Sequence, residues 1–133
     1  MHSEIAERFM QALINAENSG DVEPLVELFN DEAELSNLII SEPITGREGI
    51  RRFWQEYLNQ FQQISSHFVS VIENDTTSVL EWVSEGTLKT AEPIKYRGVT
   101  LLKIESGKIR NFRSYYDSAV FVSKEARSVS QRN

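Results

Sequence analysis

The sequence predicts an α+β domain in which three N-terminal helices pack on a strongly curved, mainly antiparallel sheet. Three observations point there. Apolar residues recur at helical spacing between Ile5 and Phe61. The period changes to two after Ser65. No linker, repeat or shift in composition divides the 133 residues, a length that suits one core.

Each element can be justified in order. Ser3 is placed to cap a first helix whose inner face is Ile5, Phe9, Leu13 and Ala16. Gly20 ends it as a left-handed cap. Asp21 opens a short second helix with Pro24 in its first turn and Leu25, Leu28 and Phe29 inside. Residues 33–37 alternate, which predicts a strand with Ala33, Leu35 and Asn37 on one face. Leu38 to Thr45 contains Pro43 and reads as a loop. Thr45-Gly46-Arg47-Glu48 then has the spacing of a capping box. The helix behind it carries Ile50, Phe53, Trp54, Tyr57, Leu58 and Phe61, a nearly unbroken apolar stripe. Strands are expected at 66–73, 78–88, 94–104 and 109–117, with turns at Asn74–Thr77 and Glu105–Lys108. Residues 1–122 are expected to form the domain and 123–133, polar and serine-rich, a frayed tail.

Both faces of the late strands carry apolar groups; Val99 and Leu101 alternate with Thr100 and Leu102. A sheet apolar on both sides needs cover on both sides. Helices cover one, and a second copy is expected on the other, as a homodimer.

Bulk properties narrow the function classes. The net charge of −6 and the lack of a basic face argue against nucleic acid and against an anionic membrane surface. There is no cysteine, so thiolate chemistry is excluded. The opening residues are polar and acidic, without a secretory pattern, and a cytoplasmic location is expected. The longest apolar runs, such as Ala119–Val122, are too short to span a bilayer.

Several segments carry a family resemblance. They are Ser19-Gly20-Asp21 ahead of Leu28–Ala33, then Ser41–Ile50, Gly98-Val99 through Ile109, and the closing Phe112-Arg113-Ser114-Tyr115-Tyr116-Asp117. Over roughly residues 5–122 the chain resembles the SnoaL-like branch of the nuclear-transport-factor-two-like superfamily, which includes ketosteroid isomerases and limonene epoxide hydrolase. The resemblance implies a cystatin-like cone and a pocket inside it. It does not imply one activity, because the fold hosts many.

Family roles transfer one residue at a time. Ketosteroid isomerases place an aspartate base where this chain has Asn37, a tyrosine donor where it has Leu13, and a protonated aspartic acid where it has Thr100. An amide does not abstract a proton near neutral pH, so that route is not implied. The epoxide hydrolase asparagine matches Asn37, but its tyrosine aligns with Leu35, its arginine and aspartate with Trp82 and Ser84, and its second aspartate with Ser114. The resemblance further implies that Leu80, Trp82 and Ser84 face inward, with Tyr96, Thr100 and Leu102, then Phe112, Ser114 and Tyr116. Phe121 is expected at the mouth.

Trp54, Tyr57, Trp82, Phe112 and Tyr116 are either an aromatic pocket lining or plain core. Asn37, Ser84, Thr100 and Ser114 are more telling. Polar groups on a buried face must bond each other, water or a ligand, since leaving one unsatisfied costs on the order of 1–3 kcal/mol. Catalytic candidates are few. Asn37 and Asp117 are the ones to name, although strand parity sets Asp117 off the inward face and a capping role suits it better. Arg113 has the parity to pair with Glu81 or Glu85. His67, the one histidine inside the fold, is too little for a zinc site, and Asp31, Glu32 and Glu34 lack a calcium-loop spacing. No metal or cofactor is expected.

The sequence thus predicts a homodimer binding a small, largely apolar organic molecule, as an isomerase, cyclase, hydrolase or non-catalytic binder. The rival is an assembly module with a filled interior. Void volume separates the two.

Overall fold

The computed structural model describes residues 4–38 and 40–121. Helix α1 (Glu4–Ser19) buries Ile5, Phe9, Ala12 and Ala16. It ends at Gly20, whose N–H donates to the Ala16 carbonyl at 2.7 Å. Ser3, its expected cap, and the tail after Phe121 lie outside the described residues. Helix α2 is short (Glu23–Val26), and β1 (Phe29–Asn37) begins earlier than Ala33. Phe29 leaves the helix because it pairs with Ile109, yet it stays fully buried.

The expected capping box does not form. Thr45 belongs to a two-residue strand, β2 (Ile44–Thr45), and its side chain makes no cap bond. Arg51 claims the Glu48 carboxylate instead at 2.9 Å, and it also grips Glu23 at 2.7 Å. Helix α3 (Gly46–Leu58) is thereby tied to α2, although the charges are solvent-screened and add little stability. The α3 stripe also stops before Phe61. The Asn59 and Gln60 N–H groups close the last turn, and Phe61 starts β3 (Phe61–Glu73). Its ring still packs edge-on against Tyr57, so the contact survives where the helix does not.

Strands β4 (Thr77–Leu88), β5 (Pro93–Glu105) and β6 (Lys108–Tyr116) complete a six-stranded sheet ordered β2-β1-β6-β5-β4-β3. Among the described strands, only β1–β6 is a parallel pair. In the Asn74–Thr77 turn, the Asn74 side-chain oxygen accepts from the N–H groups of Thr76 and Thr77. A bulge between Phe68 and Ser70 flips the parity of β3, so Val71 turns inward and Val69 is 57% exposed.

Two glycines let the sheet coil tightly. At Gly86 an added Cβ would run into the Gln63 carbonyl oxygen and lie 2.8 Å from the Ile64 Cα. At Gly98 it would lie 2.8 Å from the Trp82 ring and 2.5 Å from the Tyr115 carbonyl oxygen. Bare backbone at these points lets β3 approach β4, and the Trp82 indole lie against β5.

The helices fill the concave side. Phe9, Leu25, Phe29, Leu35, Ile50, Trp54, Leu80, Leu102 and Phe112 make the main core. Phe61, Ile64, Trp82, Ile94 and Tyr96 make a second cluster at the other end. The convex face carries rows such as Ile72–Val79–Leu101–Arg113 and Glu81–Val99–Tyr115. That register overturns the expected Arg113 ion pairs. Arg113 sits opposite Leu101, and Glu85 sits opposite Lys95. No helix among the described residues is long and apolar enough to cross a membrane.

Candidate functional site: a hydroxyl-floored chamber under an open cleft

Between α1, α3 and the concave sheet lies a chamber of about 40 Å³. Its apolar wall includes Phe9, Leu13, Phe53, Trp54, Phe68 and Phe112. Its polar floor is Ser66, Ser84, Thr100 and Ser114, contributed by β3 to β6 in turn. Outside it is an open cleft of about 520 Å³ bounded by Ile40, Ile44, Arg52, Glu56 and Gln60. Asn37, Phe53, Tyr57 and Tyr116 line both spaces and form the neck between them.

The floor is wired in two sets. In one, Trp82 Nε1–H donates to Thr100 Oγ1 at 2.9 Å, and Thr100 and Ser114 share a hydrogen bond of 2.7 Å. Two hydroxyls sharing one bond leave one hydroxyl hydrogen over, whichever way they turn. The Trp54 indole N–H, buried in the wall, has no acceptor among the described residues. Two spare donor hydrogens therefore belong to residues that line the chamber. In the other set, Ser66 Oγ–H donates to Glu17 Oε2 at 2.5 Å, and the Ser66 N–H donates to Oε1 at 3.0 Å. Ser66 and Ser84 hydroxyls are 2.6 Å apart. Behind this set, the hydroxyls of Tyr57 and Tyr96 bond each other.

The SnoaL-like domain family matches this chain over residues 8–112, which is most of its length and spans every wall of the chamber except its last strand's end. The chain is a SnoaL-like protein. A sequence search of curated proteins finds no match. Solved structures agree on the fold. A provisional isomerase from Rhodopseudomonas palustris is 18% identical, with a TM-score of 0.80, covering 96% of this chain and 99% of its own. A Catenulispora acidiphila protein of ketosteroid isomerase-like fold, in complex with trimethylamine, is 20% identical, with a TM-score of 0.77 and 90% of both chains covered. A provisional polyketide cyclase from Xanthomonas campestris is 19% identical, with a TM-score of 0.75, covering 90% of this chain and 95% of its own. At such identities the likeness concerns the fold alone.

In this SnoaL-like protein the residues singled out from sequence divide into two groups. Leu13, Asn37, Trp54, Tyr57, Trp82, Ser84, Thr100, Phe112, Ser114 and Tyr116 line the chamber. Leu35 does not; it is wholly buried in the core beneath, facing Phe112 across the β1–β6 ladder. Tyr96 sits behind the wall and reaches the site only through its hydroxyl. Phe121 does not close the mouth. It lies in the helical turn Ser118–Phe121 and packs on Phe61, Tyr96 and Tyr116. Asp117 is exposed and caps that turn, accepting from the Ala119 N–H at 3.0 Å. Asn37 is held by the Ile40 N–H at 3.0 Å and reaches Tyr116 at 3.5 Å.

Sequence reading missed Glu17. The signal was present: Phe9, Leu13 and Glu17 stand four apart, so the carboxylate continues the chamber-facing row. Burial pushes its pKa above the ordinary 4.5, against the pull of its Ser66 bonds and of nearby His67. Burial likewise raises Tyr57, Tyr96 and Tyr116, which stay protonated donors at neutral pH.

The raised carboxyl has a stability consequence. The native state holds the Glu17 proton to a higher pH than the unfolded chain does. Native protein therefore binds more protons above pH 4.5, and this contribution to stability falls as pH rises through the native value. We expect the Tm of Glu17→Gln, relative to wild type, to climb between about pH 4 and pH 7. Thermal melts across that range check it; a difference that shrinks with pH would reverse the sign.

Proposed function

We propose that this SnoaL-like protein binds a small, largely apolar organic molecule carrying one oxygen head group. The body lies in the outer cleft and the head enters the chamber. The observation that carries this reading is the buried Trp54 N–H without an acceptor among the described residues, in the lining of the chamber that also holds the leftover hydroxyl hydrogen of Thr100 and Ser114. Buried donors of this kind call for an acceptor.

Volume sets the division of labour. A ligand held wholly inside the cone calls for a void of about several hundred Å³, but Trp54, Trp82, Phe9 and Phe112 occupy most of the cone. A water needs about 10–15 Å³ of such space, so 40 Å³ takes about three or four waters or one functional group. The cleft, at about 520 Å³, falls in the range of organic-ligand sites. An isomerase, cyclase or hydrolase would use these donors to stabilise charge growing on the oxygen; a binding protein would use them for orientation.

The test is a thermal-shift series with 4-nitrophenol and with its deoxygenated counterpart, nitrobenzene. The phenol should raise the Tm, nitrobenzene should raise it less, and Trp54→Phe should narrow the gap. Equal shifts for both compounds would count against the oxygen-specific site.

The small chamber also supports a second reading, an assembly module acting through the convex sheet. Ile72, Val69 and Tyr115 are 66%, 57% and 44% exposed there, in line with Val79, Val99 and Leu101. An apolar patch of this kind suits a second copy. Sedimentation at micromolar concentration should give a dimer, and Leu101→Glu should give a monomer. A monomeric wild type would remove the dimer.

A further inference from the structure

We propose that the Ser66–Ser84 end of the chamber is a second polar subsite, one that takes a hydrogen-bond donor of the ligand, and that Glu17 sets its polarity. This deepens the ligand reading above and rests on it.

A count of hydrogens carries it. Glu17 Oε1 accepts the Ser66 N–H at 3.0 Å, and Oε2 accepts the Ser66 hydroxyl at 2.5 Å. An ionised carboxylate has no hydrogen to give. The single hydrogen of the Ser66 hydroxyl is therefore committed to Oε2. The Ser66–Ser84 bond of 2.6 Å must then use the Ser84 hydrogen. Two hydroxyl hydrogens serve two bonds, and none is left over. Ser84 is buried and lines the chamber, so what it presents there is a lone pair. The Thr100–Ser114 pair has the opposite character, because two hydroxyl hydrogens share one bond there.

The two pairs sit at different ends of the floor. Thr100 stands opposite Leu80 on β4, and Ser84 lies four residues further on, roughly 13 Å of strand. Trp82 fills the interval, its indole N–H turned to Thr100. One small group cannot serve both ends. A carbonyl oxygen suits Thr100 and Ser114; an N–H or O–H group suits Ser84. The rest of the lining is mainly aromatic, so a mismatched polar group finds little compensation. The ligand class is thus a small, largely apolar molecule bearing an uncharged amine or hydroxyl.

Glu17 is a positioning residue. It is not in the chamber lining and acts through Ser66. Glu17→Gln exposes that role. An amide nitrogen in place of Oε2 donates to Ser66, Ser66 donates to Ser84, and the Ser84 hydrogen turns into the chamber. One isosteric change converts the subsite from acceptor to donor.

The test runs at about pH 8, far above the ordinary 4.5 of the carboxyl. Its probes are 4-nitroaniline, whose amine donates, and 4-nitrobenzaldehyde, whose carbonyl only accepts. The absorption band of 4-nitroaniline moves to longer wavelength when its amine donates. In Glu17→Gln and in Ser84→Ala, 4-nitroaniline should bind on the order of tenfold more weakly than in wild type. Its bound band should also lie at shorter wavelength in both variants. The aldehyde should bind both variants at least as tightly as wild type. If Glu17→Gln does not fold, Ser84→Ala carries the test with the same two readouts. Unchanged affinity and band in the variants would overturn the subsite. An equal loss of both probes in Glu17→Gln would overturn the role given to Glu17. Binding of the aldehyde but not of 4-nitroaniline to wild type would overturn the proposal while leaving the ligand site standing. Failure of both probes would remove the ligand site and the subsite together.

Discussion

Trp82→Ala is expected to cost the folded protein about 3–5 kcal/mol, the range for deleting a large buried aromatic. The indole is over 90% buried, packs against Tyr96 and Tyr116 at centroid distances of 5.5 and 5.8 Å, and lies against bare backbone at Gly98. Its removal also deletes the donor that engages Thr100. The gap would open into the chamber, whose wall Trp82 forms. A cavity of that kind binds small aromatics, so added indole should restore part of the lost Tm in Trp82→Ala and raise that of wild type much less. Urea denaturation and melts with indole measure both effects. A loss below about 1 kcal/mol, with no indole rescue, would mean that Trp82 does not fill the cone.

Gly86→Ala should be comparably severe despite adding one methyl group. All three atoms nearest the new Cβ belong to the β3 backbone, at Gln63 and Ile64, so no side chain can swing aside. The two strands would have to part at this point. Overpacking of this kind costs about 1–3 kcal/mol and more where backbone must shift. Gly107 provides a contrast in space, since its Cβ would meet nothing within 4 Å. Because the coil shapes the site, Gly86→Ala should also weaken 4-nitrophenol binding while the surviving fold keeps its helix content. Circular dichroism with a binding titration tests this. Wild-type stability in Gly86→Ala would show that the close strand approach does not support the curve.

Most of the architecture was legible in the sequence because it rests on periodicity. The stripes of α1 and α3 and the alternation after Ser65 report faces, and faces report layers. The misses occur where a tertiary contact overrode a local preference. Phe61 follows a helical stripe yet joins the β3–β4 ladder, and Phe29 leaves α2 to pair with β6. Glu48 is spaced for a capping box, but Arg51 offers it a full charge. At the site, period two identifies Ser84, Thr100 and Ser114 as one face, and the structure brings them together. It does not distinguish a residue that lines a space from one just behind it, which is why Leu35 and Tyr96 were grouped with them. Void volume depends on how rings tilt against each other, so the filling of the cone by Trp54 and Trp82 had no sequence signature. Glu17 was overlooked for a different reason. A glutamate late in a helix reads as solvated, and only its partner Ser66, distant in sequence, draws it inward.

The central claim is that the neck formed by Asn37, Phe53, Tyr57 and Tyr116 admits the oxygen of a small organic molecule to the hydroxyl floor. A crystal structure with 4-nitrophenol tests it most directly. The ring should lie in the cleft against Ile40, Ile44 and Phe53, with its oxygen within hydrogen-bond distance of Thr100 or Ser114. An empty neck under saturating phenol, or the phenol seated on the convex sheet instead, would contradict it.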